Sequence, residues 1–495
     1  MSSVMSDQQL KRNQLGVASI VFFVVAAAAP LLGMTGAAPM AIVLGTGAGV
    51  PGAYLLVGLT LVLFSVGYCA MSRRVTNSGA FFAYIGSGLG LPVGLGAALV
   101  SVLAYVSIQL AIYGFFGGLL ALQWGLLPWW GWSGLAWGLV TVLSMRQVEV
   151  GARLLGVLLL LEMVCLLVTA VAILLHGGPE GLSWGAAFAP ENVLVGGLSG
   201  SAGVSLAFAL ASFIGFEATA IYGEESIDPK TTVPRATYWA VALITVFFAL
   251  TSFAIVTGLG ASHVVDEVVK RSTVDGQALA DPAAVLFSLA REFVGPGMAS
   301  AMAILVISSL FAGLLAFQNS AARYLFALSR GGALPAALAR VNRQGAPVHA
   351  SAWVSVLTAL VMAAFAVSDL DPIVQLFAWC SGVAVVAILM IEVLVSVGVW
   401  AYFRRSLEKV GAWSSTIAPL ASAVLLSLGL YLLLSRFGLL TGLVMAGVDP
   451  AATAWGLSPL GWLLALLPAM VGVVGWAMAH LQPLGSNQLL KDILS

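Results

Sequence analysis

The sequence predicts an all-α integral membrane protein whose helices cross the bilayer twelve times. Of the 495 residues, 61% are hydrophobic and only 8% are charged, whereas about 25% of the residues of a soluble domain are charged. A single soluble core stops growing near ~250–300 residues, so it would not hold this apolar length. Basic and acidic residues number twenty each, and no basic run suits nucleic acid. The lipid bilayer is therefore the expected partner, and nucleic acid is not.

Twelve mainly apolar runs have about 20 residues or more, the length that a membrane-crossing helix needs. Numbered as spans 1 to 12, they lie near 15–44, 51–71, 92–122, 124–145, 151–175, 202–222, 236–260, 297–329, 349–367, 373–402, 415–435 and 457–480. Residues 1–14 form a polar segment before span 1, and residues 481–495 form a tail after span 12. The first apolar run continues beyond the length of a signal peptide, so we expect span 1 to be retained.

The distribution of basic residues predicts the orientation, because Lys and Arg concentrate in cytoplasmic loops. With a cytoplasmic N-terminus, sixteen of the twenty basic residues face the cytoplasm. The four that face outward are Lys270, Arg271, Arg291 and Arg436. We therefore expect a multi-pass protein of the cell (plasma) membrane with both termini in the cytoplasm.

Irregular spans recur at a spacing of five. Span 1 is predicted to be interrupted by Gly33-Met34-Thr35-Gly36 after Pro30, and span 6 by Ile214-Gly215-Phe216-Glu217. Interrupted segments at corresponding positions of two halves indicate the central site of a transporter, although close packing of small residues is the competing explanation. Since five is odd, the second unit must be inverted. The predicted units are 15–175 and 202–402, with spans 11 and 12 at 415–480 outside the repeat.

Three sequence elements carry a family resemblance. Span 6 and its exit contain Phe213-Ile214-Gly215-Phe216-Glu217, Glu224-Glu225, Asp228-Pro229-Lys230 and Val233-Pro234-Arg235-Ala236. The end of span 8 contains Asn319, Ala322-Arg323, Ala327, Ser329-Arg330 and Leu334-Pro335, and Arg73-Arg74-Val75-Thr76-Asn77-Ser78-Gly79-Ala80 follows span 2. Together with the span count, this pattern resembles the amino acid–polyamine–organocation (APC) family of permeases over nearly the whole chain.

The resemblance implies a LeuT-like fold with a five-plus-five inverted repeat, in which helices 1 and 6 are broken. It also implies transport by alternating access, mostly by proton coupling or exchange. In that family the substrate contacts the unwound backbone of the first and sixth spans. The corresponding substrate-binding candidates are Gly33, Met34, Thr35, Gly36, Phe213, Ile214, Gly215 and Phe216. Amino acids are the leading substrates. The alternatives are a permease or exchanger for polyamines, ethanolamine or other amines and, as a different class, a channel or a transport-dead sensor.

Glycine tolerates non-helical dihedral angles, so Gly33 and Gly36 would open span 1 and expose backbone N–H groups. The start of the outer half-helix carries partial positive charge and would receive a substrate carboxylate. Freed carbonyl groups in spans 1 and 6 would accept hydrogen bonds from the substrate ammonium. We therefore expect the zwitterionic part of an amino acid to be recognised mainly by backbone.

Three acidic residues, Glu162, Glu217 and Glu392, fall well inside the spans. Intramembrane carboxyl groups are costly and are functional candidates by default. Many APC relatives have lysine in the middle of span 5, where this sequence has Glu162. Because burial favours the protonated form of a carboxyl group, Glu162 is the predicted proton-coupling residue. The alternatives are a carboxylate that holds a cation or favours cationic substrates, and a protonated glutamate bonded to a neighbouring helix. Glu217 is assigned a structural or gating role beside the interruption of span 6.

Other polar residues in the spans allow two interpretations each. Gln109 and Tyr113 share one face of span 3 and could line the cavity or bond to another helix. Ser308 and Ser309 in span 8 could bind sodium, but such hydroxyls more often bond to their own backbone, so protons are the expected coupling ion. The sequence has no visible nucleophile–base constellation and no H-E-x-x-H motif, so no enzyme activity, cofactor or metal site is expected. The oligomeric state is not predicted.

Overall fold

The computed structural model describes residues 15–75, 80–146, 149–223, 226–342, 345–406 and 410–481. Within these residues the regular elements are helices, with three isolated β-bridges. The predicted terminal segment 1–14 and residues 482–495 of the predicted tail lie outside the described residues. So do Glu224, Glu225 and the Thr76-Asn77-Ser78-Gly79 part of the element after span 2.

The long helices follow the predicted spans. Spans 2 to 5 are the helices Val50–Ser72, Leu91–Trp124, Trp129–Arg146 and Glu149–His176, and spans 7 to 9 are Pro229–Leu259, Pro296–Arg330 and Val348–Val367. Spans 10 and 11 begin with the π-helical turns Pro372–Phe377 and Trp413–Ile417 and continue as Ala378–Arg405 and Ala418–Ser435, and span 12 is Pro459–Leu481. Shorter helices in the connections are Ala80–Leu89, Trp184–Phe188, Pro190–Val193, Gly197–Ser199, Val264–Ser272, Ala283–Phe293, Ala336–Ala339 and Phe437–Thr441.

Ten helical segments of the described chain are long and apolar enough to cross a bilayer. One of them, Val17–Ser72, contains both span 1 and span 2, and the span 4 helix Trp129–Arg146 is not among the ten. The chain is therefore an all-helical, multi-pass membrane protein, and the count of twelve spans stays a prediction.

Burial separates inner spans from outer ones. We compare the most apolar 18-residue stretch of each span. In this stretch, 83% of the residues of span 3 and 94% of those of span 6 are buried, against 33% in span 5 and 17% in span 12. Large apolar side chains such as Leu160, Ile304 and Val474 point outward from spans 5, 8 and 12. Such an apolar outer surface suits a lipid environment. Because spans 3 and 6 are almost fully buried, their polar groups lie near the centre of the protein.

Spans 1 and 6 run side by side in opposite directions. At one end, the N–H of Ile227, after span 6, donates to the carbonyl of Leu15, at the start of span 1, at 3.0 Å. At the other end, the hydroxyl of Ser201, before span 6, donates to the carbonyl of Gly45 at 2.7 Å. We call the end of the bundle at which Leu15 lies the Leu15 end.

Spans 3 and 12 are in backbone contact through glycines. A Cβ atom added to Gly96 would lie 2.6 Å from the carbonyl oxygen of Gly472, and one added to Gly475 would lie 2.8 Å from the Cα of Gly96. These positions have no room for a side chain, because the obstacle is the backbone of the other helix. This is the small-residue packing by which membrane helices approach closely.

Gly96→Val is therefore expected to lower the free energy of unfolding by about 1–3 kcal/mol, the typical cost of overpacking a tight contact. Denaturant unfolding of the purified protein in detergent micelles measures this loss. Gly134→Val in the span 4 helix is the matched control, because it makes the same change where nothing lies within 4 Å of the added Cβ. Equal stability of the two variants would contradict the packing argument.

Candidate functional site

Span 6 leaves the helical conformation near the middle of the bundle. The helix Ala202–Phe213 ends at Ile214, which has φ −55° and ψ 128°, and Gly215 follows with φ 113°. A 3₁₀ turn, Phe216–Thr219, continues the chain. The positive φ of Gly215 is open to glycine at little cost. The departure coincides with the interruption predicted from the sequence.

The side chain of Glu217 satisfies polar groups at this break. Its Oε2 atom accepts a hydrogen bond from the N–H of Gly215 at 2.9 Å, and its Oε1 atom accepts one from the hydroxyl of Tyr105 at 3.0 Å. The hydroxyl of Tyr68 donates to the backbone carbonyl of Glu217 at 2.7 Å. Glu217 is 1% exposed. The carboxyl group thus holds the break of span 6 in one geometry and ties it to span 3, and the backbone carbonyl of Glu217 ties it to span 2.

Span 1 leaves the helix at Ala29. The helix Val17–Ala28 ends there because Ala29 has φ 42° and ψ 71°, and a new helical turn starts at Pro30. Proline has no N–H to donate and disfavours the α conformation of the residue before it. Pro30 therefore explains the position of the break.

The predicted opening of span 1 at Gly33, Met34, Thr35 and Gly36 is wrong in position. Gly33 has helical angles, φ −53° and ψ −41°, and Gly33–Ala37 form a π-helical turn that continues into the helix Ala38–Ala41. The N–H of Gly33 donates to the carbonyl of Ala29 at 3.1 Å. The conformationally permissive glycines stay helical, whereas Pro30 ends the preceding helix.

The break of span 6 lies against the end of the first helix of span 1, and small residues line this contact. A Cβ added to Gly215 would lie 2.7 Å from the Cβ of Ala27. A Cβ added to Gly313 of span 8 would lie 3.6 Å from the Cβ of Ala29 and 3.3 Å from the Cδ1 of Ile112 in span 3. We call the group of Ala27, Ala29, Ile112, Gly215 and Gly313 the central site. It joins spans 1, 3, 6 and 8.

Glu162 of span 5 lies against the break of span 1. The hydroxyl of Ser309 in span 8 donates to its Oε1 atom at 3.1 Å, and the backbone N–H of Leu31 faces the same carboxyl group. The Oε2 atom has no partner within hydrogen-bond distance in the described part of the protein, and Glu162 is 1% exposed. Glu162 therefore bonds span 5 to span 8 and lies next to span 1, beside the central site.

Ion pairing does not account for this carboxyl group. In the described residues, the ion pairs join Glu267 to Lys270 and Arg271, and Glu292 to Arg271, all in the connection between spans 7 and 8.

Ser308, the neighbour of Ser309, donates to the carbonyl of its own helix at Leu305, at 2.7 Å.

The other predicted residues of span 1 bond within their own helix or contact neighbouring spans. The hydroxyl of Thr35 donates to the carbonyl of Leu31 in its own helix at 2.7 Å. The sulfur of Met34 accepts a hydrogen bond from the hydroxyl of Thr251 in span 7 at 2.9 Å. A Cβ added to Gly36 would lie 3.1 Å from the ring of Phe115 in span 3. These residues form part of the wall around the break rather than the break itself.

The aromatic residues predicted in span 6 pack on both sides of its break. The ring of Phe213 contacts that of Phe248 in span 7, with 5.9 Å between the centroids. The ring of Phe216 contacts that of Phe64 in span 2 at 6.0 Å. Both side chains are buried. The break is thus held between aromatic contacts.

Gln109 and Tyr113 are buried in span 3, and Gln109 bonds to another helix. Its Nε2 atom lies 2.8 Å from Oε1 of Gln318 in span 8 and 3.4 Å from the hydroxyl of Tyr113. The interhelical hydrogen bond is one of the two interpretations that the sequence left open. The sequence interpretation missed Tyr105, although it lies four residues before Gln109 and so shares its face. It also missed Gly313, which nothing distinguishes among 55 glycines.

Comparisons with known proteins agree with this architecture. A family model described as amino acid permease matches residues 20–475. The chain is 29% identical over 189 residues to an uncharacterized transporter of Legionella pneumophila, a match that covers 38% of this chain and 37% of that protein. It is 27% identical over 171 residues to the branched-chain amino acid permease BcaP of Lactococcus lactis, covering 34% of this chain and 33% of that protein.

The chain thus spans about a third of the length of each of these relatives. The family match covers nearly the whole bundle and confirms the resemblance to APC permeases that the motifs indicate. That family consists of transporters, not enzymes. The chain belongs to the amino acid permease family.

Proposed function

We propose that this protein is a secondary active transporter that moves amino acids across the plasma membrane by alternating access and is driven by protons. The observation that carries the proposal is the meeting of two broken helices at the central site, where Gly215 touches Ala27. Backbone that leaves the helix at membrane depth is tolerated where it is buried in protein or lines a cavity. Such breaks in two spans are typical of a transporter's substrate site.

The proposed architecture has twelve spans, with inverted units at 15–175 and 202–402 and with spans 11 and 12 at 415–480 outside them. The antiparallel course of spans 1 and 6 supports the inversion, because corresponding spans of inverted units point in opposite directions. The similar lengths of spans 3 and 8, 34 and 35 residues, support the same pairing. Both termini are proposed to lie in the cytoplasm, which makes the Leu15 end the cytoplasmic end.

The substrate's zwitterionic group is proposed to bind to backbone at the breaks. The start of the helical turn after Ala29 carries partial positive charge. Because the N–H of Leu31 faces Glu162 and that of Gly33 donates to Ala29, the N–H of Leu32 is the one proposed to receive the carboxylate. The carbonyl groups freed before Ala29 and at Ile214 suit the ammonium. Gly33, Met34, Thr35, Gly36, Phe213 and Phe216 would then bound the site. The relative BcaP is a branched-chain amino acid permease, which supports amino acids as the substrate class.

Glu162 is proposed to couple a proton to the position of span 1. As a carboxylate it suits the O–H of Ser309 and the N–H of Leu31, because both are donors. Protonation removes the negative charge and weakens the attraction to the Leu31 N–H. Proton binding would therefore loosen the connection between spans 5 and 1 and allow span 1 to move. Glu217 is proposed to act structurally, by holding the break of span 6 in place.

An amine permease or exchanger is the second candidate. The Oε2 atom of Glu162 lacks a hydrogen-bond partner in the described part of the chain, so the carboxylate could accept from a substrate ammonium. Labelled putrescine and ethanolamine, tested beside labelled amino acids in proteoliposomes, distinguish the two candidates.

Glu162→Gln is expected to abolish proton-driven accumulation, because an amide cannot bind and release a proton at this site. The measurement is uptake of labelled leucine into proteoliposomes with an imposed pH gradient. Exchange of labelled for unlabelled leucine across the membrane is expected to persist. Glu392→Gln is the matched control, since it changes another buried carboxyl group within the spans. A Glu162→Gln protein that still concentrates leucine would refute the coupling role.

Gly215→Ala is expected to reduce the initial rate of uptake about tenfold or more, because strain of about 1–3 kcal/mol would distort the break. Alanine is disfavoured at φ 113°, and its Cβ would lie 2.7 Å from Ala27. Initial uptake rates at equal amounts of protein measure the effect. Gly295→Ala has a similar φ of 136° but nothing within 4 Å of the added Cβ. If both variants transport equally well, the break at Gly215 does not form the site.

A further inference from the structure

We propose that the amide oxygen of Gln109, Oε1, is a substrate contact that favours amino acids whose side chain carries a hydrogen-bond donor. The inference rests on the proposed transport function and adds a specificity-determining residue to the central site.

A relay of hydrogen bonds fixes the orientation of the Gln109 amide. The Nε2 atom of Gln318 lies 2.9 Å from the backbone carbonyl of Ser351 in span 9. A carbonyl only accepts, so the nitrogen of Gln318 must be on that side. Its Oε1 atom then faces span 3 and needs a donor, which the Nε2 atom of Gln109 supplies at 2.8 Å. Only the Oε1 atom of Gln109 remains outside the relay.

Span 9 anchors the relay firmly. The hydroxyls of Ser351 and Ser355 lie 3.0 and 3.1 Å from Nε2 of Gln318. From span 4, Ser144 contacts the hydroxyl of Ser351 at 2.5 Å, and Thr141 donates to Ser355 at 2.8 Å. Reversal of the Gln318 amide would place its oxygen against the Ser351 carbonyl, where both atoms are acceptors. The amide of Gln109 is therefore preset by spans 4, 8 and 9.

The remaining oxygen is buried without a partner. Gln109 is 0% exposed, and its Oε1 atom has no hydrogen-bond donor among the described residues. Buried polar atoms in native proteins nearly always have a partner. An acceptor held in one direction inside the bundle is therefore suited to receive a donor from a bound molecule.

The position of Gln109 relates this oxygen to the central site. Tyr105, Gln109 and Ile112 follow one another at helical spacing on one face of span 3. Tyr105 donates to Glu217 at the break of span 6, and Ile112 lies beside Gly313, next to the break of span 1. Gln109 lies between these two contacts, on the face that reaches both breaks.

The donor that fits this position belongs to the substrate's side chain. The ammonium and carboxylate are already assigned to backbone groups of the breaks, near the level of Ile112. Gln109 lies three residues from Ile112 toward the Leu15 end, which is roughly 4.5 Å along a helix. That separation suits the hydroxyl of a serine or threonine or the amide of an asparagine. An aliphatic side chain would leave the buried oxygen without a donor.

Threonine and valine test this inference, because they have nearly the same shape and differ in one hydroxyl group. Uptake of each labelled amino acid into proteoliposomes gives kcat/KM for wild-type protein. We expect kcat/KM to be about tenfold higher for threonine, since a site built to bond a hydroxyl rejects the analogue that lacks it. Gln109→Leu is expected to remove this preference by lowering threonine transport about tenfold more than valine transport.

Gln318→Leu tests the relay separately. It leaves Gln109 in place but removes the acceptor that orients its amide, so the threonine preference should fall about threefold while valine uptake persists. Ser422→Ala in span 11 is the matched control, because this buried hydroxyl bonds to Ser396 outside the relay. Elution as a single species in detergent verifies that each variant is folded.

Two results would overturn the inference. One is equal kcat/KM for threonine and valine in wild-type protein, which requires no variant to fold. The other is an equal loss of both substrates in folded Gln109→Leu, which would assign Gln109 to the common α-carbon group or to packing. If wild-type protein takes up no amino acid at all, the proposed transport function fails, and this inference fails with it.

Discussion

Peptide groups inside a bilayer must find hydrogen-bond partners, and the arrangement of the central spans depends on how two broken helices meet this requirement. At span 6, Glu217 accepts from the N–H of Gly215. At span 1, the carboxyl group of Glu162 faces the N–H of Leu31. Both carboxyl groups therefore lie where a helix restarts and N–H groups lack helical acceptors. Two acidic residues that are costly in lipid thus stabilise two breaks that are also costly there.

The two carboxyl groups differ in how completely they are bonded. Both oxygens of Glu217 accept from neighbouring groups, and Tyr68 also bonds to its backbone carbonyl, so that break is held from several sides. Glu162 has one bonded oxygen and one without a partner in the described chain. A carboxyl group with both oxygens bonded suits a rigid part of the structure, whereas a partly bonded one can change hydrogen-bond partners at a lower cost in free energy. This asymmetry supports the proposal that Glu162, rather than Glu217, changes its protonation during transport.

The sequence predicted the positions of the long helices well, because a helix that crosses a bilayer must be apolar over about 20 residues. Span 3, predicted at 92–122, is the helix Leu91–Trp124, and span 12, predicted at 457–480, is Pro459–Leu481. The break of span 6 was found because glycine and glutamate stand together in an apolar run. The break of span 1 was misplaced because the glycines after Pro30 were given more weight than the proline itself. Gly313 and the partners of Gln109 depend on how spans 3, 8 and 9 align, which hydropathy does not encode.

This chain has Glu162 in span 5, where the family resemblance implies a lysine in many APC relatives. Such a difference would change the sense in which a proton acts. A lysine at this position donates hydrogen bonds and binds most strongly to freed carbonyl groups when it is protonated. Glu162 accepts from Ser309 and faces an N–H, so it holds these donors most strongly when it is deprotonated. Proton binding would then fasten a lysine in place but loosen a glutamate. A protein with lysine and a protein with glutamate at this position could therefore share one fold and couple transport to protons in opposite ways. Proton binding would hold span 1 in the first protein and free it in the second.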